Sequence, residues 1–162
     1  MPETSRQRVL VGVSRSAASQ AALRWAAEEA RLRGATLHVV WAWDSDRPVA
    51  PYASSRLPSR AEEQAAARQG LTAAMRAVFG DAAPAGVVVE LAEGVPERVM
   101  VDRSARADLV VLGLSNPAWL VMPSAGPVIR ACLEHAACAV VVVGAAGRAP
   151  APGDRPLADA AV

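Results

Sequence analysis

The chain has 162 residues, a length that suits one domain with an ordinary hydrophobic core. Its formal net charge is +1, and all 17 basic residues are arginines spread along the sequence, which argues against a nucleic-acid-binding surface. No run reaches the ~18 consecutive apolar residues of a membrane helix, and the first residues lack the apolar segment of a signal peptide, so a cytoplasmic protein without membrane contact is expected.

The first part of the chain alternates apolar runs with an amphipathic segment. Residues 8–13, RVLVGV, form a short apolar run typical of a strand buried on both faces. Residues 17–33 have helical periodicity and are followed by Gly34, a common helix terminator. Residues 36–43, TLHVVWAW, predict a second strand, and the three prolines of residues 44–58 predict a loop.

The alternation continues after this loop. Ser59 and Glu62 form a capping-box pattern at the start of a helix that ends near Gly80. Further strands are predicted at residues 86–91, 108–113 and 139–143, and further helices after Pro96 and Gly126. This order predicts an α/β domain over residues 8–144, a parallel open sheet with helices on both faces. Residues 1–7 and the Ala/Pro/Gly-rich residues 145–162 are expected to be disordered.

The loop after the fourth strand has glycines placed as in a phosphate-binding segment. Gly113 is followed by two residues and Asn116, then by nine residues, Gly126 and Pro127. Glycine lets the backbone approach an anion, and the free N–H groups of a helix N-terminus favour negative charge. In an open parallel sheet the ligand lies beyond the carboxyl ends of the strands, where the strand order reverses.

This spacing, together with VLVGVSRS, the helix AALRWAAEEARLRG and the ending EHAACAVVVVG, resembles the universal stress protein family over residues 8–144. The resemblance implies a five-stranded, Rossmann-like sheet of the adenine-nucleotide alpha-hydrolase type, and a nucleotide site. The positions that match this site or lie beside it are Gly12, Val13, Ser14, Val40, Trp41, Gly113, Ser115, Asn116, Gly126, Pro127, Val128 and Ile129.

Three matched positions depart from the nucleotide-binding members. Asn116 replaces a glycine, although asparagine tolerates the left-handed backbone region and keeps the turn possible. Pro127 replaces a serine or threonine and removes one backbone donor and one hydroxyl. Ser14 replaces an aspartate, which removes a strong hydrogen-bond acceptor. Together these changes predict weakened or absent ATP binding.

Two functional hypotheses follow, and a third is retained. The leading one is a non-catalytic dimer that acts through protein contacts in a stress or dormancy response, a role implied by the resemblance. The resemblance also implies the interface, since in that family the last strand lies at the sheet edge and pairs with its copy across a two-fold axis. Here this strand is Ala139, Val140, Val141, Val142 and Val143, and left unpaired its apolar edge would favour aggregation. The alternative is a sensor that binds ATP or AMP, with Mg²⁺ if ATP binds, and that hydrolyses slowly. The third is another small molecule in the same crevice, next to Trp41 and Trp119.

Other chemistry-bearing residues are interpreted as structural. Cys132 and Cys138 are too few and too far apart for a disulfide framework or a zinc site, and both are expected to be buried. His38 and His135 are expected to have structural roles. Asp44 and nearby Asp46 are interpreted as a solvated loop. No catalytic triad, HExxH or lysine-bearing phosphate motif occurs, so neither an enzyme nor a metal site is predicted.

Overall fold

The computed structural model describes residues 6–44, 57–115 and 126–144. Strands β1 (Arg8–Gly12), β2 (Thr36–Trp43), β3 (Val87–Glu93), β4 (Leu109–Leu114) and β5 (Ala139–Gly144) alternate with helices α1 (Ala17–Arg33), α2 (Arg60–Phe79), α3 (Pro96–Ser104) and α4 (Pro127–His135). The strands pair in parallel in the order β3-β2-β1-β4-β5. The predicted five-stranded parallel α/β fold is therefore confirmed.

Local signals set the ends of the two long helices. Ser16 caps α1 by accepting a hydrogen bond from the Ser19 N–H, and Gly34 ends the helix in the left-handed region at φ 61°. At the start of α2, Ser59 and Glu62 form both bonds of the predicted capping box. These helix boundaries follow from residues within four positions of each end.

The sheet separates two apolar cores. Helices α1 and α2 cover one face, and α3 and α4 cover the other. Strand side chains alternate between the faces, so Val9, Val39 and Val111 pack in the first core while Leu10 and Val110 pack in the second. The central strands are buried on both faces, which explains why their sequences are continuous apolar runs.

Strands β3 and β5 lie at the two ends of the sheet. No other described strand pairs with their outer edges. Both edges carry exposed apolar side chains: Val88 and Val89 of β3 are 50% and 45% exposed, and Val142 of β5 is 38% exposed. Both edges of the sheet therefore leave apolar surface outside the core.

Some of the sequence predictions fall on residues outside the described part of the chain. These are Asn116, Trp119, Asp46, most of the proline-rich loop, residues 1–5 and the tail 145–162.

Just before β1, the Gln7 carbonyl accepts a hydrogen bond from the Thr36 N–H at 2.8 Å, and the Arg6 Nε donates to the Gly34 carbonyl at 3.0 Å. The chain is thus attached to the sheet two residues before the predicted domain boundary.

Candidate functional site

A crevice of about 450 Å³ lies where the direction of the strand order reverses, between the carboxyl ends of β1 and β4. The chain leaves β1 towards α1 on one face of the sheet and leaves β4 towards α4 on the other, so the two strand ends separate and leave a gap. The described residues that line it are Gly12, Val13, Ser14, Ser16, Ser19, Val40, Ala42, Pro96, Met100, residues 112–115 and residues 126–129. All predicted site residues in the described ranges line this crevice except Trp41.

Trp41 points away from the crevice. It belongs to the core under α1 and α2, where it packs so closely on Gly70 that a Cβ atom there would lie 2.5 Å from the Trp41 Cη2. Its neighbour Val40 points to the opposite face and lines the crevice. The assignment of Trp41 to the site was therefore wrong. The hypothesis of another small molecule bound in the crevice consequently loses its expected contact with the Trp41 side chain. Trp43 shares the face of Trp41, as predicted.

Three serines organise the β1 side of the crevice. The buried Ser19 hydroxyl accepts a hydrogen bond from the Ser14 N–H at 3.0 Å and donates to the Ser14 carbonyl at 2.7 Å. The Ser16 hydroxyl accepts from the Ser19 N–H at 3.1 Å, and the Ser14 and Ser16 hydroxyl oxygens are 3.1 Å apart. The polar groups at this end of α1 thus bond largely to one another. Where the resemblance implies a carboxylate for nucleotide binding, this chain presents the neutral Ser14 hydroxyl.

Arg15 does not supply a positive charge to the crevice. Its Nη2 atom donates to the Ala66 carbonyl on α2 at 3.3 Å, which directs the guanidinium towards the other helix. Among the described residues that line the crevice, none has an ionisable side chain. A charged ligand would therefore depend on backbone N–H groups and serine hydroxyls for its polar contacts.

Gly113 has a packing role that its place in the motif does not reveal. A Cβ atom at this position would lie 2.3 Å from the Ala18 carbonyl oxygen and 2.6 Å from the Ser19 nitrogen. These are backbone atoms of the first turn of α1, so they cannot move aside as a flexible side chain can. Glycine is required here because β4 passes directly against α1.

Helix α4 faces the crevice with its N-terminus. Gly126 precedes it at φ 79° and ψ 156°, a conformation that favours glycine, and no side chain caps the helix among the described residues. Pro127 is its first residue and has no N–H, so Val128 and Ile129 carry the first backbone donors. The anion-binding end of the helix is therefore present with one donor removed.

The sequence did not identify Ser19, Ala42, Pro96, Met100, Leu112 or Leu114 as site residues. Met100 projects from α3 across the end of β1, where a Cβ atom on Gly12 would lie 3.2 Å from its Cε. Helical periodicity predicts a helix after Pro96 but cannot tell which strand end that helix crosses. Ser19 lies at the third position after the Ser16 cap, and this spacing is the one local signal that points to it.

His38 contributes to structure away from the crevice. Its Nε2 atom lies 2.9 Å from the Glu90 Oε2, while the Arg103 Nη2 lies 2.6 Å from the Glu90 Oε1. Burial lowers the pKa of His38 despite the nearby Glu90, and the hydrogen bond from Arg103 lowers the pKa of Glu90. The cluster connects β2, β3 and α3, so His38 has the structural role that was predicted.

The two cysteines are free, and neither has the environment of an activated thiol. Cys132 is buried as predicted, and burial raises its pKa to about 11. Cys138 is only partly buried, and desolvation raises its pKa as well. A reactive cysteine needs a stabilised thiolate, whereas both thiols here are held protonated at neutral pH.

The described residues outside the crevice hold neither a metal-binding cluster nor a membrane segment. No group of three or more His, Cys, Asp or Glu side chains in residues 6–44, 57–115 and 126–144 is arranged to hold a metal ion. Within the same ranges, no helix combines the length and apolar character needed to cross a membrane. Among the described residues, the predicted site residues other than Trp41 lie together at the crevice.

Comparison with known proteins agrees with this geometry. The sequence model of the Universal stress protein family matches residues 5–144. A universal stress protein of Mycolicibacterium smegmatis is 33% identical over 141 residues, which cover 83% of this chain and 47% of that protein. The chain thus spans about half the length of this relative.

Solved structures show the same fold. UspA from Lactobacillus plantarum superposes with a TM-score of 0.63 and 26% identity, over 84% of this chain and 96% of that one. The universal stress protein from Archaeoglobus fulgidus in complex with dAMP gives a TM-score of 0.60 at 23% identity, over 86% and 98% of the two chains. Since the family model covers most of the sequence and the fold agrees with it, this chain belongs to the universal stress protein family.

Proposed function

We propose that this protein is a non-catalytic, dimeric universal stress protein that acts through protein contacts in a stress or dormancy response, with weakened or lost ATP binding. The observation that carries the proposal is the lining of the crevice. The crevice lies at the reversal of strand order, where open parallel sheets bind ligands, yet its described lining has no ionisable side chain and its α4 terminus begins with Pro127.

The expected loss of ATP affinity is large. Hydrogen bonds to charged groups contribute about 1.5–3 kcal/mol each. Pro127 removes at least one such bond to phosphate, and Ser14 replaces a carboxylate with a neutral hydroxyl. Two losses at the lower limit amount to about 3 kcal/mol, or a dissociation constant raised roughly a hundredfold.

Thermal unfolding with millimolar Mg-ATP tests this part of the proposal. A ligand at about 100 times its dissociation constant adds about 2.7 kcal/mol, roughly 5–10 °C in Tm for a domain of this size. We expect a shift below about 1 °C for the natural chain and a clear shift for the double variant Ser14→Asp, Pro127→Ser, which restores the family's side chains. Pro84→Ser, an exposed proline outside the crevice, is the matched control.

A shift of 5–10 °C in the natural chain would contradict weakened ATP binding. It would favour the second candidate, a sensor of ATP or AMP that hydrolyses slowly. One observation supports that candidate: the uncapped α4 terminus still presents the Val128 and Ile129 N–H groups to the crevice. The relative from A. fulgidus was solved with dAMP, a ligand with a single phosphate.

Calorimetric titration with adenosine, AMP and Mg-ATP separates the two candidates. A sensor anchored by phosphate binds AMP or ATP more tightly than adenosine, and Gly126→Asp abolishes that preference by placing a carboxylate against the phosphate. If the crevice has lost its anion site, the added phosphates bring no gain in affinity. Binding of AMP unchanged by Gly126→Asp would place the ligand elsewhere.

The dimer is proposed to form through β5. Val142 remains 38% exposed at the edge of the sheet although its neighbour Val143 is buried, so the strand offers both unpaired backbone groups and apolar side chains. Val141→Pro or Val142→Pro is expected to yield monomer or aggregate, measured by light scattering with size-exclusion chromatography. An unchanged dimer in both variants would reject β5 as the interface.

A further inference from the structure

A groove of about 500 Å³ lies between α2 and the outer edge of β3, on the opposite side of the domain from β5. Leu71, Met75 and Phe79 recur every four residues on α2 and form one apolar wall. Val89 and Leu91 of β3 form the floor. Since Val89 is 45% exposed, this surface remains open to a ligand after the domain has folded.

The backbone beside this groove has unpaired polar groups. The Gly86 carbonyl accepts from the Leu37 N–H at 2.9 Å, and the Gly94 N–H donates to the Trp43 carbonyl at 2.8 Å, so residues 86 and 94 both face β2. The β2–β3 register is unbroken between them, and successive residues of a strand direct their N–H and C=O groups to opposite sides. The odd-numbered residues, including Val89, therefore direct both groups outwards.

The charged residues that line the groove are two arginines, Arg68 and Arg76, and one aspartate, Asp81, so the excess charge is positive. Arg68, Thr72 and Arg76 line both this groove and an adjoining depression on α2. No ion-pair partner of Arg68 occurs among the described residues. The Arg76 Nε lies 4.0 Å from the Asp81 Oδ1, and both side chains are highly exposed, so this pair is weak. Carboxylates of a partner would find two available guanidinium groups.

We propose that this groove binds an extended acidic segment of another protein as an additional strand beside β3. Side chains on one face of the segment would enter the groove, where apolar ones pack on Met75, Phe79 and Val89 and acidic ones pair with Arg68 and Arg76. Backbone hydrogen bonds to the β3 edge give such complexes their affinity, and the charges select acidic over basic segments. The inference rests on the proposed action through protein contacts and names the surface and the chemistry of the partner.

A synthetic peptide tests this proposal. The probe has seven residues, matching the length of β3, with glutamate at positions 1 and 7 and valine at positions 3 and 5, so that all four share one face. Threonine fills the even positions, the termini are blocked, and the peptide carries a fluorescent label. We expect binding to the full chain, measured by fluorescence anisotropy, with a dissociation constant on the order of 100 µM. The same peptide with lysine in place of glutamate is expected to bind at least about tenfold more weakly.

Two sets of variants locate the binding. Val89→Pro removes an outward N–H but no bond to β2, and proline is tolerated on such an edge; we expect it to abolish binding, while Val89→Thr retains it. The double variant Arg68→Glu, Arg76→Glu is expected to reverse the preference and bind the lysine peptide. Arg98→Glu, an exposed arginine of α3 on the other face of the sheet, is the charge control.

Circular dichroism establishes that each variant is folded, and the charge reversal remains a test if Val89→Pro does not fold. Absence of binding, equal affinity for both peptides, or an unchanged preference in the reversed variant would overturn the inference. Light scattering on the same samples reports the dimer independently. A dimer without peptide binding removes the groove as a docking site and leaves the proposed function intact, whereas a monomer that binds the peptide removes the β5 dimer alone.

Discussion

The N-termini of α1 and α4 both face the crevice, but they use their backbone donors differently. At α1, the Ser16 hydroxyl accepts from the Ser19 N–H, and the Ser19 hydroxyl accepts from the Ser14 N–H. At α4, no described side chain caps the helix, and Pro127 occupies the first position. One terminus has a serine cap for the Ser19 N–H, while the other has no side-chain cap among the described residues.

Because of this difference, we expect the α1 side of the crevice to contribute to stability and the α4 side to contribute to ligand binding. The first turn of α1 also packs against the backbone of Gly113, so it is held by β4 as well as by its serines. A helix end that is internally bonded and closely packed stabilises the fold, whereas an uncapped end is available to a ligand. Changes on the α1 side are therefore expected to lower stability, and changes on the α4 side to alter binding with little effect on stability.

Gly113→Ala is expected to have the largest effect. The new methyl group would lie 2.3 Å from the Ala18 carbonyl oxygen, so β4 or α1 must shift, at a cost of about 3 kcal/mol in the free energy of unfolding. Urea denaturation measures this value. Gly144→Ala is the control, because a methyl group added at Gly144 would meet no atom within 4 Å. A loss below about 0.5 kcal/mol at Gly113 would show that the close approach is not rigid.

Ser19→Ala is expected to have the second largest effect. It removes a buried hydroxyl and leaves the Ser14 N–H without that acceptor, which costs about 2 kcal/mol. The exposed Ser115, also in the crevice, is the control, and Ser115→Ala is expected to change stability by less than about 0.5 kcal/mol. Equal effects at the two serines would show that the hydrogen bonds of Ser19 add no more stability than an exposed serine of the crevice does.

Ser16→Ala removes the cap of α1 and is expected to lower the free energy of unfolding by about 1 kcal/mol. Ser16→Asp keeps an acceptor at the same position and is expected to restore most of the stability, since aspartate caps helices as well as serine does. Thermal and urea unfolding of the two variants measure the difference. Equal stability of the alanine variant and the natural chain would mean that the Ser16 cap contributes nothing to α1.

Pro127→Ala is expected to have the smallest effect on stability, a loss of about 0.5 kcal/mol from the greater freedom of the unfolded chain. It restores one N–H at the start of α4, so any anion affinity is expected to rise. Unfolding in urea and titration with AMP report the two effects separately. If stability falls by more than about 1.5 kcal/mol, the α4 terminus is structural too and the contrast fails.

Much of the fold could be predicted because its signals are local. The Ser59–Glu62 capping box and the end of α1 at Gly34 depend on residues within one turn of each helix. The crevice was placed by the rule that ligands lie at the reversal of strand order, and the motif located Gly126 and Pro127 within it. Trp41 was assigned wrongly because the resemblance marked a region of β2, and adjacent strand residues point to opposite faces.

The sequence by itself determined the order of strands and helices, the helix caps and the family, because periodicity, capping and motif spacing are written within short segments. Only the tertiary structure decided that Gly113 serves the packing of α1, and that His38, Glu90 and Arg103 meet across three elements. It also decided which residues of β3 direct their backbone groups outwards. These contacts join positions far apart in the chain, and their geometry is fixed only when the sheet and its helices pack.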